Sequence, residues 1–411
     1  MNVPFFRPSV TEAEIQSVVE CLRSGWLTTG PRTKEFESAF AKRVGAKHAV
    51  ALNSCTAALH LALDAIGLRR DELVLVPTLT FAATAEVVRY FDATPVFVDC
   101  DPGTLCMDPV ALERTIETLM AGGSVPGVRS GAKVRAIIPV HYGGQMVDVD
   151  AIAKIAGKYG LPVIEDAAHT MPAMYRSSVG RPWRHVGTTA AITCFSFYAN
   201  KCITTGEGGM AVTDDDTFAA RMRLMSLHGM SKDAWRRFMN GGAWYYEIVA
   251  PGFKYNLTDV AASIGLCQLE RADELWAART AIARRFSEGL ADVSELTLPV
   301  ELADRRHSWH LYAIRLKLEL LDIDRATFIA KMNEAGVAAS VHWMPLHMQP
   351  YYRETFEYQP QDFPIAAGIW PTLISLPIFP GMTSAEIDRV IAVVRDIAST
   401  HSKRRRGVFA T

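Results

Sequence analysis

Between residues 72 and 197 short β-branched runs alternate with helical stretches, and this rhythm restricts the fold more than any other feature of the chain. ELVLVPTLTF is followed by a helix from about Ala82, TPVFVDC by one around Pro109 to Met120, and VRAIIPVHY by one around Val149 to Tyr159; LPVIEDAAH and AAITCFSF complete the series. Strands separated by whole helices return in the same direction, so the pattern predicts βαβ units and a mostly parallel sheet sandwiched by helices, an α/β fold. Ligands in such folds bind beyond the carboxyl ends of the strands. Those ends carry Thr80-Phe81, Asp99, His141-Tyr142, Asp166 with His169, and Ser196 with Lys201, so polar groups gather on one sheet edge.

Lys201 follows the apolar, aromatic-rich run AAITCFSFYAN and precedes Gly206-Glu207-Gly208-Gly209, so a buried strand is expected to deliver one amine into a glycine-lined turn. Apolar surroundings weaken an amine's preference for its charged form, and the neutral amine attacks carbonyls to make a Schiff base. Upstream, HAVALNSCTAALHLALDAIGL runs from a short strand through Asn53-Ser54-Cys55-Thr56 into an apolar helix. Free N–H groups at such a start, aided by the Ser54 and Thr56 hydroxyls, form an anion site; the plainer reading is an ordinary Ser/Thr N-cap.

The chain has 411 residues, more than one ordinary core. Residues 1–258 are expected to form a large domain, 259–400 a smaller α+β domain, and 401–411, ending in a run of basic residues, a disordered tail. Residues 11–24 read as an amphipathic helix capped by Thr11 with Glu14 completing a capping box. Trp26, within Gly25-Trp26-Leu27-Thr28-Thr29-Gly30-Pro31, is a core plug or a substrate wall. The connection from Arg221 to Lys254 is basic and aromatic, and suits a segment that crosses to a partner or lines a pocket. Residues 260–290 read as one long helix leading to the smaller domain.

The 43 basic and 44 acidic side chains nearly cancel, which leaves no global field for nucleic acid or an anionic membrane. A small-molecule partner is favoured. Seven cysteines without CxxC spacing argue against a disulfide framework and against a zinc site, so no metal is expected. The stretch MNVPFFRPSVTEAE lacks a basic segment followed by a long apolar one, and no later run reaches membrane-spanning length without charges or prolines, so the protein is expected to be soluble and cytoplasmic.

A lysine and an acid at strand ends, with a phosphate-ready helix start, suggest pyridoxal phosphate chemistry: the lysine holds the aldehyde and shuttles a proton, the acid keeps the pyridine nitrogen protonated, and the helix start anchors the phosphate. A Rossmann-type nucleotide site is the competing use of such a sheet, but neither GxGxxG nor GxxxxGK[ST] is present. The sequence resembles the DegT/StrS family of pyridoxal phosphate dependent sugar aminotransferases of fold type I along nearly its whole length. The matches run from Ser24-Gly25-Trp26-Leu27-Thr28-Thr29-Gly30-Pro31 through Asn53-Ser54-Cys55-Thr56, Pro77-Thr78-Leu79-Thr80-Phe81, Pro139-Val140-His141-Tyr142, Glu165-Asp166-Ala167-Ala168-His169, Phe195-Ser196-Phe197 with Lys201 before Gly206-Glu207-Gly208-Gly209, and Lys254-Tyr255-Asn256-Leu257-Thr258-Asp259 to Leu376-Pro377.

The resemblance implies Lys201 as the residue of the internal aldimine, Asp166 as the partner of the pyridine nitrogen, and His169 on the ring's phenolic side. Ser54, Cys55 (through its backbone), Thr56 and Ser196 are expected at the phosphate and Phe81 against the ring. It further implies a homodimer with shared active sites, Asn256 reaching the phosphate bound in the other subunit. Cys55 stands where many members have glycine, which matters only if the turn needs a positive φ. Trp26, Thr28, Thr29, His228, His342 and His347 are candidates for the sugar or nucleotide pocket, and Arg236, Arg237 and Lys254 for its diphosphate. The implied reaction moves an amino group from glutamate to a nucleotide-linked keto-sugar. VIEDAAH and PGFKYNLTD look particularly like members acting on UDP-4-keto sugars. A sugar 3-dehydratase of the same fold, in which histidine replaces the lysine, and a non-catalytic cofactor-binding regulator are the rival readings.

Overall fold

The computed structural model describes residues 2–128, 131–178, 180–231 and 247–403. Two helices precede the sheet. In α1 (Glu12–Ser24) the expected capping box is present, the Thr11 N–H donating to Glu14 Oε2 at 2.8 Å, and the helix stops at Gly25, whose φ of 75° favours glycine. α2 (Pro31–Val44) turns Phe36 and Phe40 into the core.

The alternation then appears as β1 (His48–Leu52), α3 (Cys55–Ala65), β2 (Leu73–Pro77), α4 (Ala83–Arg89), β3 (Thr94–Val98), α5 (Pro109–Met120), β4 (Val134–Ile137), α6 (Val149–Tyr159), β5 (Ile164–Asp166), β6 (Ile192–Ser196) and β7 (Gly209–Thr213). β2 pairs in parallel with β3 and β4, and β5 with β6, while β7 lies antiparallel between β6 and β1. Parallel bridges Ile137↔Val163 and Val140↔Asp166 join the two ladders into the order β3-β2-β4-β5-β6-β7-β1. Of these strands only β7 runs against the rest. β2 and β7 are buried throughout, as helices on both faces require.

After α7 (Asp216–Met225) the chain goes out and back through antiparallel bridges Leu227↔Lys254 and Met230↔Ile248. The single helix read over 260–290 is in fact two, α8 (Asp259–Glu270) and α9 (Ala272–Leu290). They divide at Arg271, whose guanidinium reaches Glu14 at 2.9 Å and Glu274 at 3.1 Å, so ion pairing at the junction wins over helical propensity. α8 lies on α1 and α2, and its Ala262 and Leu269 join the core beneath the large sheet.

A second, antiparallel sheet holds β8 (Leu296–Thr297), β9 (Tyr312–Leu316) and β10 (Leu373–Leu376) in the order β8-β9-β10. Its core takes in Ile282 and Phe286 of α9, Phe328 of α10 (Arg325–Glu334) and Val390 and Val394 of the C-terminal helix Ser384–Thr400. The short helices Pro350–Phe356 and Pro364–Ile369 turn Tyr352 and Ala366 the other way, into the cores of the large sheet. Between the two sheets, residues 305–311 cross and are clipped to the loop after β4: Ser308 N–H donates to Gly144 O and Leu311 N–H to Gly143 O, both at 3.0 Å. Among the described residues no helix is long and apolar enough to cross a membrane.

Candidate active site

The carboxyl ends of β5 and β6, the start of α3 and the crossing at 305–311 enclose a cavity of about 360 Å³. Of the residues expected at a site, Ser54, Cys55, Thr56, Phe81, Asp166, His169, Ser196, Lys201 and His342 all line it. They come from segments far apart in the sequence, and the parallel sheet brings them to one edge.

The floor is the first turn of α3. Ser54 is its N-cap and its Oγ accepts from Ala57 N–H at 3.0 Å, which leaves the N–H groups of Cys55 and Thr56 without an intrahelical acceptor. β7 presses against this turn. A Cβ on Gly209 would stand 2.3 Å from Ser54 C and 2.5 Å from Cys55 N, so the glycine is required by close approach. Cys55 does not have a positive φ, so the cysteine fits without backbone strain. Burial first, then Asp166 and Cys194, pushes its thiol well up, against the pull of Lys201; it is a wall group and no nucleophile.

Asp166 ends β5 and is 5 % exposed. Its Oδ2 accepts from Thr84 Oγ1 at 2.8 Å and its Oδ1 from Ala168 N–H at 3.1 Å. Thr80 Oγ1 lies 2.9 Å from Thr84 Oγ1. Because an ionised carboxylate only accepts, the Thr84 proton points to Asp166 and Thr80 donates to Thr84. Burial pushes the Asp166 carboxyl up, against the pull of Thr84, Ala168, Lys201 and His141. Among the described residues no cation lies within ion-pair distance of it.

Lys201 does not sit at the strand end. It follows β6 by a short turn in which its own N–H donates to Tyr198 O at 2.9 Å. Burial depresses the amine, with Cys55, Asp166 and Cys202 pulling the other way. An amine so placed spends more of its time neutral and nucleophilic than a solvated lysine.

His169 is 4 % exposed, and its Nδ1 accepts from Gly143 N–H at 3.1 Å. That hydrogen bond puts the proton of the neutral ring on Nε2. Burial above all, and Lys201, His342, His141 and His307 in addition, hold its pKa well below the usual value. Trp343 stacks on the ring at 5.2 Å and His310 lies 4.4 Å away. Phe81 stands at the rim, 57 % exposed, with its ring 6.0 Å from Trp343.

Other expected residues do not line this cavity in the chain. Trp26 plugs Gly30: its Nε1 donates to Thr29 O at 3.2 Å, and a Cβ on Gly30 would lie 1.8 Å from the same nitrogen. Thr28 O accepts from Asp259 N–H, and Thr29 Oγ1 accepts from Asn256 Nδ2 at 2.7 Å. Lys254 Nζ bonds Asn256 Oδ1. His228 is exposed beside Phe253, and His347 is buried, its Nδ1 2.6 Å from Thr78 Oγ1. Arg236 and Arg237 lie outside the described residues.

Thr80, named at its strand end, also lines the cavity, while Thr84, Tyr198, Asn200, His310 and Trp343 were missed by sequence reasoning, although all of these but Thr84 line it. Thr84 follows Thr80 by one helical turn, a signal that the Thr80-Phe81 strand end offered. His310 and Trp343 come from beyond β8, and no local pattern tells which residues of a crossing segment face another sheet.

The sequence profile of the DegT/DnrJ/EryC1/StrS aminotransferase family matches residues 8–395. Among curated proteins, the spore coat polysaccharide biosynthesis protein SpsC of Bacillus subtilis (strain 168) is 42% identical over 396 residues, 96% of this chain and 97% of SpsC. Spr1654 of Streptococcus pneumoniae, solved in a PLP form, superposes with a TM-score of 0.86 at 31% identity, covering 97% of this chain and 99% of that one. Its PMP form gives 0.85 at 32% identity over 97% and 98%. Helicobacter pylori PseC, an aminotransferase involved in the biosynthesis of pseudoaminic acid, gives 0.86 at 26% identity over 97% and 100%.

Proposed function

Because the chain belongs to the DegT/DnrJ/EryC1/StrS family of sugar aminotransferases, we propose that it transfers an amino group from glutamate to a nucleotide-linked keto-sugar, a UDP-4-keto sugar being the preferred acceptor. The family and the neighbours in PLP and PMP forms imply pyridoxal phosphate as the cofactor. The residues fit such a group. A buried carboxylate without an ion pair suits a protonated ring nitrogen, the open N–H groups at the start of α3 suit a phosphate, and a depressed amine suits an aldehyde. The observation that carries the reading is that one cavity holds all three.

Pyridoxal phosphate, when bound, supplies an electron sink for negative charge at the carbon that loses a proton. In this reading Asp166, fixed by Thr84 and Ala168, keeps a positive charge at the ring nitrogen. Cys55 and Thr56 N–H, with the Thr56 and Ser196 hydroxyls, hold the phosphate, and Ser54 shapes the turn by capping it. His169 donates from Nε2 to the ring's oxygen side and Phe81 covers a ring face. Lys201 is the covalent anchor, and once free its depressed amine takes and returns the proton. Asn256 reaches the site of a second subunit, so the working enzyme is a homodimer. The name of SpsC, a polysaccharide biosynthesis protein, supports a sugar acceptor, and that of PseC, an aminotransferase in pseudoaminic acid biosynthesis, supports an aminated product. Lys201 itself speaks against the 3-dehydratase reading, and the intact set of Lys201, Asp166 and Ser196 against a non-catalytic regulator.

The test is incubation of the protein and glutamate with UDP-, dTDP- and GDP-linked keto-sugars, with products read by mass spectrometry. An aminated sugar is expected from the UDP set, and Lys201→Ala should abolish it. If no sugar in the panel gains an amine, the acceptor class is wrong.

A further inference from the structure

Three histidines line the cavity, and they are not held alike. His169 Nδ1 is fixed by Gly143 N–H at 3.1 Å and His342 Nδ1 by Ser375 Oγ at 2.8 Å. His310 is 6 % exposed, yet neither of its ring nitrogens has a hydrogen-bond partner among the described residues, and its Nδ1 is fully enclosed. A buried polar group without a partner costs stability, so its retention asks for a reason.

The backbone around His310 adds a second observation. Trp309 is in the left-handed region at φ 52°, which an indole side chain disfavours. That conformation is clamped. Trp309 N–H donates to His307 Nδ1 at 2.8 Å, and Ser308 and Leu311 are clipped to Gly144 and Gly143 on either side. From below, Arg279 Nη1 donates to Trp309 O at 3.3 Å and to Ile378 O at 2.9 Å. Arg279 is 1 % exposed and no carboxylate among the described residues pairs with it, so a buried cation ties the main chain at Trp309 to that at Ile378. The strained turn and the buried guanidinium together aim one imidazole into the cavity.

We infer that His310 is a substrate-contacting residue whose Nε2, the ring nitrogen that is not enclosed, donates to a carboxylate oxygen of the amino donor, and that Arg279 is the residue that positions it. The inference rests on the aminotransferase reading and deepens it. Lys201 is the single cationic side chain among the described residues of the lining, and no arginine is there to take a carboxylate. Among the described residues, the groups left to take it are neutral donors. Burial, with Lys201, His169, Arg279 and His342 adding, keeps His310 uncharged. A neutral donor binds a carboxylate less tightly than a guanidinium does, and it also donates to a sugar hydroxyl oxygen, which suits one pocket that receives two unlike substrates in turn.

The holoenzyme titrated with glutarate, a dicarboxylate without an amine to transfer, tests this by calorimetry. His310→Ala should weaken glutarate binding about tenfold with the cofactor retained, and His310→Gln, which keeps a donor, should restore most of it. Arg279→Met should weaken glutarate more than it lowers kcat, and Arg279→Lys should recover part of the loss. Glutarate binding unchanged in His310→Ala would overturn the inference, as would loss of the cofactor from both His310 variants, which would put the residue in the cofactor cradle. Wild-type protein mixed with L-glutamate is the separate control: failure of its absorbance to change would sink the aminotransferase reading and leave the glutarate comparison standing.

Discussion

Two buried acids sit in this molecule under opposite terms. Asp259, the first residue of α8, is 1 % exposed and accepts from Gly30 N–H at 2.7 Å, Thr33 N–H at 2.9 Å, Thr33 Oγ1 at 2.7 Å and Arg32 N–H at 3.1 Å. It caps the start of α2 from another helix, where Gly30 has no side chain to do so, and it takes four donors, three on Oδ1 and one on Oδ2, as many as the roughly four acceptor sites of a carboxylate. Asp166 is nearly as buried but takes only two donors, and its carboxyl is pushed up. A saturated carboxylate is a clasp. One left with open lone pairs in a cavity is kept for something that is not part of the chain.

The largest effect expected is on the unsaturated acid. Asp166→Asn should lower turnover by at least about a hundredfold, because the amide cannot hold a positive charge at the ring nitrogen. Stability should move the other way. With a folded pKa above the unfolded one, ionised Asp166 costs stability, and that cost grows as pH rises through the folded pKa. The cofactor-free Asn variant should therefore unfold at the same midpoint as wild type or higher at pH 7, by denaturant titration. Near-normal turnover together with a lower midpoint would make Asp166 a second clasp.

Asp259→Ala should do the reverse, costing about 3 kcal/mol, since it strands several N–H donors at a helix start that nothing else caps. Denaturant midpoints measure it. A loss below about 1 kcal/mol would mean that water replaces the carboxylate and that counting acceptor sites does not separate clasp from site.

What the sequence discloses divides along the same line. The βαβ rhythm, the Thr11 and Glu14 capping box and the positions of Lys201, Asp166 and Ser196 are written in periods of two and 3.6 residues and in short motifs, so they could be read without coordinates. Asp259 lies inside the motif Lys254-Tyr255-Asn256-Leu257-Thr258-Asp259, but its work at Gly30 depends on α8 lying across α2, which periodicity does not encode. The reversed β7 also escaped, because a buried antiparallel strand has the same apolar run as a parallel one. The break at Arg271 and the arrival of His310 are decided by partners distant in sequence, Glu14 for the first and Gly143 and Gly144 for the second.

The smallest effect tests a clasp that titrates. Glu14 is 1 % exposed, and although burial alone would raise its pKa, the Thr11 hydroxyl and N–H and the Gln268 amide lower it to about 2. Its partners include Thr11 N–H at 2.8 Å, Gln268 Nε2 at 2.7 Å and Arg271 at 2.9 Å. Because the folded pKa is depressed, the stabilisation is present in full above the unfolded pKa and drains away as pH falls from there towards 2. Glu14→Gln should cost about 1 to 2 kcal/mol at pH 7, kept modest because Arg271 stays partly solvated and Gln still accepts one bond. The gap between variant and wild type should then narrow as the pH is lowered from about 4 to 2, read from denaturant midpoints at each pH. A gap that stays constant would mean that the carboxylate's shape and not its charge holds α1 against the junction of α8 and α9. In that case the open lone pairs of Asp166, and not its charge, would be what sets the cavity acid apart.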